Sequence, residues 1–166
     1  MTTTAVNDAI DDGDVIGREN EVRDFISKCA AALIACAPGK AAVYCGGEAL
    51  IADNGALQAA GAIAELTGAT LLCENAFSRL DRGGGLPHPT RLPYFPQDAA
   101  RALAAFDLVV TADARRPIAM FGYDGAGPSH LLRLDDSNIW EIDSGTDIPG
   151  TMKMLQQEVE KKLIVV

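Results

Sequence analysis

Gly46-Gly47, with Glu48 directly after, is the first place where this sequence could do chemistry. Two glycines that follow an apolar run let a phosphate approach the main-chain N–H groups at the start of the next helix. The remaining glycines of a G-x-G-x-x-G fingerprint are missing, as is the lysine of a P-loop, so a tight strand-to-helix turn explains the pair equally well. Asp113, just past a later apolar run, is the carboxylate best placed for a ligand at the same sheet edge, and Glu48 is next. Either also reads as a solvated turn residue or a helix cap. Gly46, Gly47, Glu48 and Asp113 are thus the candidate cofactor-binding residues.

The other reactive side chains assemble nothing. His88 lies between Pro87 and Pro89, His130 is the second of two histidines, and neither has a carboxylate or cysteine at metal-ligand spacing. Ser78 and Ser129 lack a G-x-S-x-G context. Gly83-Gly84-Gly85 has no following lysine or helix cap and reads as a loop. Cys29, Cys36, Cys45 and Cys73 contain no C-x-x-C spacing and sit in apolar patterns, as buried reduced thiols do. No nucleophile meets a base, so no catalytic or metal-binding residue is assigned.

The elements that position these residues follow from periodicity. Val22, Phe25, Ile26, Cys29, Leu33 and Cys36 form one stripe of a helix that starts at Glu19 and stops at Pro38-Gly39. Ala41 to Cys45 is a continuous apolar run, the mark of a strand buried on both faces. Asn54 can cap a second helix that Gly68 closes. Strands are expected at Ala69–Cys73 and Asp107–Thr111, with a helix from about Gln97 to Ala105 before the latter. Leu131–Leu134 and Ile139–Ile142 are two shorter strand candidates, and a last helix spans Ile148–Leu163. Strands alternating with helices predict an α/β fold, a three-layer Rossmann-like domain with a mostly parallel, doubly wound sheet of five to six strands. Residues 1–17, with four aspartates and no apolar period, read as a flexible leader or linker, and 18–166 as one domain. Two long irregular stretches, Glu74–Pro96 and Ala112–Ser129, each begin at a strand's carboxyl end, where open α/β sheets bind ligands.

Composition narrows the partners. The 166 residues are 48% apolar and 22% charged, enough for one substantial core. A net charge of −9 with no basic stripe excludes non-specific nucleic-acid binding, which needs Lys and Arg to displace counterions. The longest apolar run, Ala30 to Ala37, is far short of the roughly 20 residues of a membrane span. The polar, acidic start does not resemble a secretory signal, so a cytoplasmic protein is expected.

A series of segments then carries a family resemblance. Gly39-Lys40-Ala41-Ala42-Val43-Tyr44-Cys45-Gly46-Gly47-Glu48-Ala49-Leu50 follows an apolar helix. Glu65-Leu66-Thr67-Gly68-Ala69-Thr70-Leu71-Leu72 and the loop Gly84-Gly85-Leu86-Pro87-His88-Pro89 come next. Arg91-Leu92-Pro93-Tyr94-Phe95-Pro96 and Phe106-Asp107-Leu108-Val109-Val110-Thr111-Ala112-Asp113-Ala114 complete it. In order and spacing, Ala30 to Asp143 resembles the central domain of thiamine diphosphate-dependent enzymes, of the acetolactate synthase large subunit and benzoylformate decarboxylase group. The resemblance implies a parent lyase or transferase acting on a 2-keto acid, with thiamine diphosphate and Mg²⁺ held by two flanking domains that this length does not contain. Asp12-Gly13-Asp14 is not the Gly-Asp-Gly motif of the third domain. The implied partners are flanking catalytic domains of the same polypeptide or partner subunits, in a homo-oligomer. Flavin-containing members hold the ADP portion of FAD near the position of Gly46 and Gly47, which makes FAD a candidate cofactor, with Arg115 and Arg116 available to meet a diphosphate. The expected role is a non-catalytic scaffold domain; the alternative is a free-standing nucleotide- or flavin-binding subunit on the same frame.

Overall fold

Every residue of β1 (Ala41–Cys45) and of β4 (Leu108–Ala112) is buried, because both runs lack charged side chains and can be covered on two faces. A computed structural model describes residues 12–119 and 129–165, with side chains from residue 17. Around these two central strands lie β2 (Thr70–Cys73), β3 (Thr90–Arg91) and β5 (Ile139–Ile142), in the order β3-β2-β1-β4-β5. All four pairings are parallel. The sheet is thus five-stranded and wholly parallel, and it is wound in both directions from β1.

Alternation along the strands splits the core into two layers. Ala41, Val43, Cys45, Val110 and Ala112 face α1 (Asp12–Ala35), α2 (Ala56–Thr67) and α4 (Ile148–Ile164), where Leu33, Ile63, Met152 and Leu155 are fully buried. Each such side chain contributes about 1.5–3 kcal/mol by leaving water. Ala42, Tyr44, Leu72 and Val109 face the other way, onto Ala99 and Leu103 of α3 (Pro96–Leu103) and onto Leu131 and Leu132. Helices therefore cover both faces, giving three layers.

Four differences from the sequence reading have physical causes. Leu131–Leu134 is no strand: its leucines pack on the α3 face, tied by Leu131 N–H to Pro117 O at 3.1 Å and by an antiparallel bridge between Ile118 and His130. β3, by contrast, has two exposed residues and no apolar pattern to announce it. α1 begins at Asp12 instead of Glu19, because acidic residues suit the positive end of a helix even without an apolar period. The last residues of the expected leader are therefore helical, and residues 1–11 lie outside the described part. At α2 the cap position itself is Gly55; Asn54 acts one residue earlier, its Oδ1 accepting from Ala56 N–H at 2.9 Å. The middle of the second irregular stretch, residues 120–128, also lies outside the described residues.

Candidate functional site

The strand order reverses between β1 and β4, so the crevice above their carboxyl ends is where this fold would hold a ligand. Gly46 and Gly47 leave β1 there and lead into a single 3₁₀ turn, Gly47–Leu50. Asp113 leaves β4 there with φ +46°, the one left-handed non-glycine among the described residues. Aspartate tolerates that conformation better than most residues. Asp113 N–H remains tied to β5 through Ile142 O at 2.8 Å. The turn sends its carboxylate back over the end of β1, where Oδ2 accepts from Glu48 N–H at 2.7 Å.

A second carboxylate joins from β2. Glu74, the first residue beyond that strand, donates its own N–H to Cys45 O at 3.1 Å, and its side chain lies against the glycine pair. Burial pushes the Glu74 carboxyl above its ordinary range; the Gly47 N–H offsets part of this, and the negative charge of Asp113 adds to it. The glycine pair exists to make room for these groups. A Cβ on Gly46 would stand 2.6 Å from Asp113 O and 2.8 Å from Glu74 Oε1, and one on Gly47 would overlap the Asp113 carboxylate.

All four residues singled out from sequence thus meet at the reversal point, and Glu48 takes part through its main chain. Glu74 was missed. Its position directly after the second strand is the signal, since dinucleotide folds place a ribose-binding carboxylate there. Arg116 does not point at the crevice: Nε and Nη2 bond the two oxygens of Glu141 at 3.0 and 2.8 Å, and Nη1 bonds Asp136. Beside it, a hollow of about 330 Å³ lies between Asp113, Arg115, Glu141 and Asp143. The first irregular stretch is braced by Asp81, which accepts from Ala52 N–H at 2.8 Å and pairs with Arg79. Gly83, Gly84 and Gly85 all have left-handed φ and stand in open space. Tyr94 and Phe95 are more than half exposed at its end. Cys29, Cys45 and Cys73 are buried free thiols and Cys36 is half-buried. Among the described residues no group of three or more His, Cys, Asp or Glu side chains could hold a metal ion, and no helix is long and apolar enough to cross a membrane.

Fold and site together define a doubly wound, parallel α/β domain with an acidic crevice at its reversal point. Over 76 residues, 46% of the chain, it is 43% identical to a putative acetolactate synthase large subunit, IlvX, of Mycobacterium tuberculosis. The matched region covers 15% of that protein's length. No protein-family model matches the chain, and no solved structure does.

Proposed function

We propose that this chain is the central, non-catalytic scaffold domain of an acetolactate synthase-like, thiamine diphosphate-dependent enzyme, a 2-keto acid carboligase or decarboxylase. The observation that carries this reading is the 43% identity over 76 residues to the mycobacterial protein. The parallel three-layer fold supports it. When bound between flanking catalytic domains, thiamine diphosphate would supply the electron sink for cleaving the bond next to the keto group. The residues described here do not fit a Mg²⁺–diphosphate complex, since no cluster of metal-ligating side chains converges. Their work is to join the domains on a rigid sheet and support a cytoplasmic homo-oligomer, with contacts from the long loops.

Reading the gene outward on both sides of the chain tests this. The expected result is flanking sequence with a Gly-Asp-Gly motif downstream, and acetolactate formation from pyruvate by the complete product. An isolated gene for this chain alone, in a genome where no thiamine-dependent partner co-purifies with it, overturns the reading.

A further inference from the structure

A diphosphate at the reversal point of a doubly wound sheet is held by main-chain N–H groups of the glycine turn. In this chain two carboxylates already crowd that turn. Glu48 N–H donates to Asp113 Oδ2 at 2.7 Å, and Glu74 Oε1 stands 2.8 Å from where a Cβ of Gly46 would be. We infer that the crevice is self-occupied: the carboxylates of Asp113 and Glu74 stand where a nucleotide diphosphate would sit, and the chain keeps this site closed to FAD and other nucleotides.

Three observations bear on this independently of the thiamine-enzyme reading. The space spared at Gly46 and Gly47 is filled by Asp113 and Glu74, so these glycines open no empty cradle. Asp113 holds a left-handed φ of +46°, and such a conformation persists only where surrounding bonds repay it. Arg116, one of the two arginines that follow Asp113, is spent on Glu141 and Asp136. An entering diphosphate would have to displace two anions while adding negative charge of its own.

The test uses the whole 166-residue chain with ADP, FAD and inorganic pyrophosphate as probes, followed by isothermal titration calorimetry. Two double variants accompany it: Glu74→Gln/Asp113→Asn keeps the shape and removes the charge, and Glu74→Ala/Asp113→Gly empties the site, glycine suiting the left-handed φ. Thermal melting first identifies which variants fold. The wild-type chain is expected to show no saturable binding, and a folded variant to bind pyrophosphate or ADP at least tenfold more tightly than wild type. Wild-type binding of ADP or FAD tighter than about 100 µM overturns the inference. So does a pair of folded variants no better than wild type, because the carboxylates would then not be what excludes the ligand.

Discussion

At the scale of single residues, the glycines divide by what a side chain would meet. Gly47 combines φ +37° with the Asp113 carboxylate in its Cβ position, whereas Gly39 has φ +78° and open space around it. Gly39→Ala is therefore expected to cost about 1 kcal/mol, the left-handed backbone penalty alone. Gly47→Ala is expected to cost about 2–4 kcal/mol, since it also expels a carboxylate and strips Glu48 N–H of its acceptor. Urea unfolding of the two variants checks the ranking, and equal losses would contradict the close packing described. Glu74 gives a pH signature. Its folded form holds a proton more tightly than the unfolded chain does, so its stabilising contribution is full below the ordinary glutamate range and lost as pH rises through its higher folded value. Wild-type Tm should accordingly fall relative to Glu74→Gln across that mildly acidic window; curves that run parallel would show that the burial of Glu74 has no energetic consequence. Asp81, held low by Arg79 and by Ala52 N–H, acts in the opposite sense and is common to both proteins. From sequence, Gly46, Gly47 and Asp113 are legible as carboxyl-end residues. Their mutual bonding is not, since it depends on one unusual φ and on a third residue from another strand.

Among elements, legibility tracked the source of stability. β1 and β4 are buried at all positions and stand out as apolar runs. Two-residue β3 gains its place from pairing with Leu72 and Cys73, which no local pattern encodes. Leu131–Leu134 misled because its leucines are buried for the same reason a strand's would be, against α3, though without a ladder. Gly61 in α2 offers a test of element packing. Alanine there should gain up to about 1 kcal/mol of helix propensity. Its Cβ would, however, overlap the ring of Pro87 from the loop that follows the three glycines. Overpacking of that kind costs about 1–3 kcal/mol, so a net loss is expected. A Gly61→Ala chain that melts higher than wild type would mean that this loop does not pack on α2 as described.

On the scale of the whole molecule, two stacked cores enclose the sheet, and thiol chemistry reads their integrity. Burial raises the thiol of Cys29 to about 12 and that of Cys45 higher still, so neither is a thiolate at neutral pH. Cys36 is half-buried near the end of the first helical stripe. Ellman's reagent is expected to label Cys36 first in the native protein and the other three only on unfolding. Rapid native labelling of all four would contradict the layered core. The fold class was open to reading at this scale because alternating buried strands and amphipathic helices leave few other arrangements. The proposed role was not, since it rests on a partial likeness to the mycobacterial protein and on no pattern of residues within the fold.

Parallel register sets Cys45 beside Cys73 on adjacent strands, both sealed beneath the same helices. Neighbouring sulfurs of this kind amount to a latent two-pronged trap for a soft reagent such as a trivalent arsenical, armed only while the covering helices lift away. The rate of arsenical capture would therefore time the spontaneous parting of the molecule's centre, without any engineered probe.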